Sequence, residues 1–581
     1  MKISKWVTRT LFLVLAVAAL PLLASASPAA PMEQPQNVDA DLWQALVEGQ
    51  SSDLVVEFAQ QADLSAAFDM DWETRGNYVV NTLKTVAEHV QARAISYAEN
   101  AGLRHKTFLA GNELYLWNAD LEAAAGLASL QEVAYVRAPK IVYLEPILGE
   151  APGPAATTDW GITDTKADQF WSTFGVQGDS IVVSNIDTGV QWNHPALVNE
   201  FRCPSAPSDS TCWYDPSNVC GGSACDNNGH GTHTMGTMVA DDNPSLAYIV
   251  GMAPNAKWIA CKGCETSSCS EFALNSCADW ILAPGGSAGK RPHVVNNSWA
   301  GGSCENWYLS KVQAWRAAGI FPAFAAGNQY DCDSLGSPGD YQESFASASH
   351  KSSRTISSFS SKGPSCYGHN PYTKPNISAP GENICSTVPT DGWNCGYSGT
   401  SMACPHTAGA VALLWSCNPA LVGKIDQTFQ LLQNSADASP SGSCGAPSDG
   451  QGNYTYGYGY LNVLAAGQAG CGSVPTDTMH VKSITMSQSA IRRGHAVKAS
   501  IVIVNQNNVP VVGATVSAQW TLPDDSIDDQ QDLTNKNGIA KFVLKSSQLG
   551  RFQICVTDVT RAGLTYDPGQ NVVTCDSTKV Q

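Results

Sequence analysis

The feature that most narrows the fold is a set of short apolar runs, each stopped by small or polar residues and separated by helix-length sequence. Residues 181–186 (Ile-Val-Val-Ser-Asn-Ile) run straight into Asp187-Thr188-Gly189, and residues 258–260, 294–295 and 321–325 repeat the pattern downstream. Continuous apolar character marks strands covered on both faces, and intervening helical stretches mark crossovers. Together they predict an α/β fold with a mostly parallel sheet flanked by helices. In such sheets, groups that handle a ligand gather beyond the carboxyl ends of the strands. Asp187, Asn297-Ser298 and Gly327-Asn328 all fall at that edge.

A second stretch bears on chemistry. Gly399-Thr400-Ser401-Met402-Ala403-Cys404-Pro405-His406 reads as a tight turn that opens into a helix of small and apolar residues. Ser401 falls at the start of that helix, where free backbone N–H groups and the positive end of the helix dipole face outward. Pro405 is tolerated there because its missing N–H would have been unpaired anyway. A serine so placed is either an N-cap or a nucleophile. Nucleophilic action needs a base, a carboxylate to orient the base, and donors for the oxyanion. His230, in Gly229-His230-Gly231-Thr232-His233, also opens a small-residue helix, and Asn328 offers an amide at a strand end.

The order Asp187, His230, Ser401, with these flanks, resembles the subtilisin-like serine proteases over residues 160–461. The resemblance implies a triad of Asp187 as orienting carboxylate, His230 as general base and Ser401 as nucleophile, with Asn328 as oxyanion-hole donor and His233 as a structural residue. It implies substrate bound as an added strand, with Ser298, Trp299 and Ala300 lining one side and Ala325, Ala326 and Gly327 walling the pocket for the residue before the scissile bond. Catalysis is expected to need no cofactor. The family's strong calcium site is not reproduced, since the chain reads His194-Pro195-Ala196-Leu197 and Asp241-Asp242-Asn243-Pro244 where ligands would stand. No metal ligand is assigned, and structural calcium stays open.

Around this core the 581 residues divide further. Lys2, Lys5 and Arg9 precede an apolar run over 11–23 and a small-x-small Ala24-Ser25-Ala26, so residues 1–26 read as an export signal and the product as extracellular. Residues 37–145 carry a strand at 54–58, a helical face of Leu83, Val86, Val90, Ala94 and Tyr97, a strand around Leu114 and Leu116, a helix capped by Asp120 and a strand at 133–136. That is close to a βαββαβ order, with one strand not visible. This segment resembles the family's propeptide, an intramolecular inhibitor, with processing in the Pro- and Gly-containing linker 146–157. The catalytic domain is placed at 158–472. Residues 476–581 read as a small all-β sandwich of immunoglobulin-like type, with the acidic run 524–529 as a solvated loop.

The cysteines fit export. All 19 lie at or beyond Cys203, and 17 of them fall between Cys203 and Cys471, so one is left over. Cys203/Cys212, Cys220/Cys225, Cys264/Cys269 and Cys304/Cys332 are spaced as loop staples, Cys555 pairs with Cys575, and Cys404 is the expected free thiol. Cys261, Cys264, Cys269 and Cys277 read as disulfides rather than zinc ligands. The net charge of −18 argues against nucleic acid or an anionic membrane as partner. No membrane span is expected, and the chain is expected to act as a monomer on polypeptide substrates. A non-catalytic binding or adhesive protein that keeps the fold is the alternative left open.

Overall fold

The computed structural model describes residues 32–144, 157–241, 248–366, 373–448, 450–471, 478–506, 508–561 and 564–581. The export segment 1–26 and the processing stretch 145–156 lie outside the described residues.

The N-terminal unit is built from β1 (Ser52–Phe58), α1 (Trp72–Val90), β2 (His105–Phe108), β3 (Glu113–Ala119), α2 (Leu121–Ala128) and β4 (Val133–Arg137), with the strands in order β2-β3-β1-β4. β2 is the strand not visible in sequence: His-Lys-Thr-Phe has no apolar alternation and is recognisable only by its pairing with β3. Asp120 caps α2 by accepting from Ala123 N at 2.9 Å. Helix α1 begins 11 residues before Leu83, where the periodic face starts, and ends at Val90, so Ala94 and Tyr97 lie on a separate helix, Ala92–Asn100. The difference has a packing cause. Val90 joins the core of the N-terminal sheet, with Leu54, Leu116 and Val136, whereas Val79 and Leu83 join the core of the central unit. A strand, β5 (Ile141–Tyr143), then leaves the N-terminal sheet.

The central unit holds a seven-stranded parallel sheet. Its strands are β6 (Val182–Asp187), β7 (Trp213–Tyr214), β8 (Lys257–Lys262), β10 (Val294–Asn297), β11 (Phe321–Ala325), β12 (Phe345–His350) and β13 (Ile377–Pro380), in order β13-β12-β11-β10-β6-β8-β7. A short strand, β9 (Ser268–Ser270), stands apart from it. The helices that matter for the site are α3 (His230–Val239), α4 (Glu271–Leu282), α5 (Leu309–Ala317) and α6 (Thr400–Cys417). α6 is buried on all sides, which suits a helix of small and apolar residues in the middle of a large core. A Cβ at Gly409 would lie 2.4 Å from the Met252 Cβ, so the glycine lets α6 approach closely.

Eight disulfides staple this unit among the described residues, and Cys404 is free and buried. Cys203–Cys212, Cys220–Cys225 and Cys264–Cys269 pair as their spacing suggests, and the remaining pair of the zinc-like quartet is Cys261–Cys277. Cys304 and Cys332 do not pair with each other. They join Cys366 and Cys444, because these loops are neighbours in space and not in sequence.

The C-terminal unit is all β. One sheet contains Ile539–Ser546, Gly494–Asn505, Thr478–Ile491 and Thr565–Tyr566; the other contains Ile527–Leu533, Thr515–Thr521, Gly550–Thr560 and Cys575–Val580. Trp520 is fully buried between them. Asp528 and Asp529 are strand residues in Ile527–Leu533, a correction to the loop expected over 524–529, because they pair with Trp520 and Gln519. Cys555 and Cys575 lie directly opposite one another and are bonded.

Candidate active site

Asp187 ends β6 and His230 begins α3, so the carboxyl edge of the sheet and the first turn of a helix bring them together. His230 Nδ1 lies 2.8 Å from Asp187 Oδ1. Asp187 is fully buried, and it also accepts from Thr188 N at 2.7 Å and Thr234 Oγ1 at 3.2 Å. With Nδ1–H facing the carboxylate, Nε2 keeps its lone pair for a proton. Burial opposes a charged imidazolium, but the Asp187 carboxylate outweighs it, and the His230 pKa is raised above its ordinary value.

Ser401 is half-buried in the first turn of α6. Its Oγ donates to the Ser298 carbonyl at 3.0 Å, and Ser298 Oγ donates to the Ser401 carbonyl at 2.8 Å. Oγ must leave this carbonyl to hydrogen-bond a base, an adjustment common in sites without substrate. Asn328 is held more firmly. Its Oδ1 accepts from both Thr400 N and Thr400 Oγ1 at 2.9 Å, which leaves Nδ2 as the group to donate. Thr400 Oγ1 also accepts from Gly327 N at 3.1 Å, and Gly327 has a φ of +103° that favours glycine.

Ser298, Trp299, Ala300, Ala325 and Gly327 line a cleft beside Asn328 and Ser401. Trp299 is 2% exposed, and its indole packs on Trp307, Tyr308 and Phe324. Ala326 is not among the lining residues, because its peptide is used in bonds to Ser347 and Gly336. Gln329 and Gly336 also line it, and a Cβ at Gly336 would lie 2.6 Å from the Ala300 Cβ. His233 stands apart from the chemistry. Its ring stacks on Tyr397 at 4.3 Å, Nε2 faces the carbonyls of Ile384 and Asn394, and burial pushes its pKa down to about 3.

Three features escape the sequence. The first is Asp226, whose carboxylate accepts from Thr188 Oγ1, Asn228 N and Gly229 N on one oxygen and from Thr232 N and Oγ1 on the other. The second is Lys262, the β8 residue level with Asp187, which donates to Thr188 O and to Asn227 Oδ1. Its position at the end of a predicted strand was the available signal. The third is an occupied edge. β5 runs antiparallel to β9, with Tyr143, Val142 and Ile141 opposite Ser268, Cys269 and Ser270, and Tyr143 lines the cleft that Ser401 lines.

Among the described residues, no group of three or more His, Cys, Asp or Glu is placed to share a metal ion.

The subtilase family model matches residues 178–459, which include Asp187, His230, Asn328 and Ser401. Bacillopeptidase F of Bacillus subtilis (strain 168) is 38% identical over 326 residues, which are 53% of this chain and 22% of that protein. Subtilisin DY of Bacillus licheniformis is 32% identical over 320 residues, 54% of this chain and 100% of the relative. Subtilisin E of Bacillus subtilis (strain 168) is 29% identical over 323 residues, 54% of this chain and 72% of the relative. The chain therefore belongs to the subtilase family.

Proposed function

We propose that this protein is a secreted serine endopeptidase, made as a precursor whose N-terminal unit is an inhibitor. The observation that carries the reading is the bond from His230 to the buried Asp187 at the same sheet edge as Ser401 and the pinned Asn328. Ser401 Oγ would attack the scissile carbonyl carbon while His230 Nε2 takes the hydroxyl proton. Asn328 Nδ2–H and the Ser401 backbone N–H would meet the oxyanion. On collapse the C–N bond breaks, the amine leaves with the proton from His230, and an acyl ester remains on Ser401. Water, deprotonated by the same imidazole, then releases the acid and restores the serine.

The β5–β9 pairing supports both substrate binding and inhibition, since a substrate would add to the same edge by main-chain bonds. Self-processing would fall in 145–157. The C-terminal sandwich would act as a spacer or substrate-proximity module, and the protein as a monomer. Among the described residues no helix is long and apolar enough to cross a membrane.

Cleavage of casein or a peptide anilide by the processed protein and by Ser401→Ala tests the reading. Activity is expected to be lost in the variant, along with Ser401 labelling by a sulfonyl fluoride; equal activity in the two would sink it.

A further inference from the structure

Helix α1 is shared between two cores. Its second half packs on the N-terminal sheet, and its first half lies on the central unit through Trp72, Arg75, Gly76, Val79 and Leu83. Arg75 is 4% exposed, and its guanidinium donates to the carbonyls of Ala317 (2.5 Å), Arg316 (2.6 Å) and Gly423 (3.0 Å). Two of these are terminal carbonyls of α5, the negative end of that helix, and the Arg316 carbonyl also accepts from Gly319 N at 2.9 Å. Trp72 stacks on the His293 ring at 4.6 Å with an 11° angle between planes, and the Arg291 guanidinium lies 3.7 Å from a Trp72 ring centroid. Arg291 also donates to the Trp72 carbonyl.

This contact lies far from the chemistry in topological terms. α5 leads into the amino end of β11, and Arg291 and His293 immediately precede β10. All of them therefore sit at the amino edge of the sheet, opposite the carboxyl edge that carries Asp187 and Asn328.

We propose that Trp72, Arg75 and Gly76 form a latch that holds the N-terminal unit on the catalytic unit at this second site, so that cutting the 145–156 connection does not by itself free the cleft. The latch rests on the reading of the N-terminal unit as an inhibitor. Its seat is a surface for one partner, the chain's own α1: an aromatic side chain for the Arg291–His293 face and, one turn on, a guanidinium for the α5 carbonyls. Gly76 makes the fit specific. A Cβ there would lie 2.2 Å from Arg291 Nη1, and Arg291 cannot swing away freely, because it is 2% exposed and donates to the Ala318 and Ala288 carbonyls as well.

The test uses the full chain as Ser401→Ala, with a recognition site for an external protease placed in 146–156. After nicking, release of the N-terminal fragment is followed by gel filtration and native mass spectrometry. Arg75→Ala and Trp72→Ala are expected to release it at least tenfold faster than the parent. Gly76→Ala separates docking from folding. Alanine is the better helix former, so a mere effect on α1 stability would slow release, whereas the latch requires faster release. Parent-like or slower release from Gly76→Ala overturns the proposal. A parallel nicked chain that keeps Ser401 is assayed with a peptide anilide. Retained fragment with full activity overturns the inhibitor reading, and the release rates decide the latch independently of it.

Discussion

Asp226 accepts five hydrogen bonds, and every donor belongs either to the residue after Asp187 or to the start of the helix that carries His230. It sets the separation of base and carboxylate without touching a substrate. Asp226→Asn would place an amide N–H against the Thr232 donors and push α3 away. Misplacement of about 1 Å costs on the order of 10²-fold in rate, and kcat is expected to fall by up to that amount, with KM little changed. A parent-like kcat would remove this role. Thr400 acts in the same way on Asn328. Thr400→Val deletes one of the two bonds that pin the amide, and a lost neutral hydrogen bond of about 1 kcal/mol predicts a kcat about fivefold lower at unchanged KM. His230 must be neutral to accept the serine proton, so kcat/KM should rise with pH through its pKa. Burial lowers that pKa and Asp187 more than restores it, so the rising limb should lie above the ordinary histidine value. In Asp187→Asn burial still lowers the pKa and only the smaller pull of the Asp226 carboxylate opposes it, so the limb should move to lower pH as the rate falls. A limb that stays in place in a pH profile of the variant would contradict the assigned coupling.

At the scale of elements, β9 is the edge on which a strand is added, and Cys269 at its centre is bonded to Cys264. Replacing both by serine should loosen the edge and raise KM. The effect should reach about tenfold for substrates long enough to pair as a strand and be smaller for a single-residue anilide, at similar kcat. Equal effects on both substrates would mean that β9 does not bind them. The sequence places substrate along Ser298-Trp299-Ala300; that wall lines the cleft, and the strand that β5 pairs with is β9. Ser-Cys-Ser gives no apolar pattern, so nothing local marks it as a strand. The same reason hides β12 and β13, where Phe-Ala-Ser-Ala-Ser-His and Ile-Ser-Ala-Pro are small and polar yet fully buried. They are strands because α6 packs closely on them, a tertiary cause. β6, β8, β10 and β11 were legible because their apolar character is intrinsic. The positions of Asp187, His230, Asn328 and Ser401 were legible because Gly and small polar residues mark the turns that hold them. Asp226 was not, since an Asp before Asn-Asn-Gly reads as turn chemistry until its five donors are seen.

For the whole molecule, the open matter is what holds long surface loops to so large a core. The stapling is unevenly spread: Cys332–Cys444 closes 112 residues, Cys304–Cys366 closes 62 and Cys417–Cys471 closes 54, whereas Cys220–Cys225 and Cys264–Cys269 close only 5 each. In the chain-entropy account a loop of this greatest length contributes roughly 4–5 kcal/mol, against about 2 for the shortest. Opening Cys332–Cys444 by replacing both residues with serine should therefore lower Tm by on the order of 10 °C. Because Cys332 anchors the segment between Gln329 and Gly336, which flanks the cleft, selectivity for the residue before the scissile bond should relax in the same variant. Removing Cys220–Cys225 should cost less than half as much. Reductant should act on the long bridges together, and Cys404, buried and with its thiol pKa pushed up by that burial, should react with alkylating agents only once the core opens. A chelator is expected to shift Tm by less than the Cys332–Cys444 variant does. Thermal scans with EDTA, with reductant and with each double-serine variant rank these terms. A chelator shift larger than that of the Cys332–Cys444 variant would mean that bound cations, and not the disulfide framework, carry the stability of this unit.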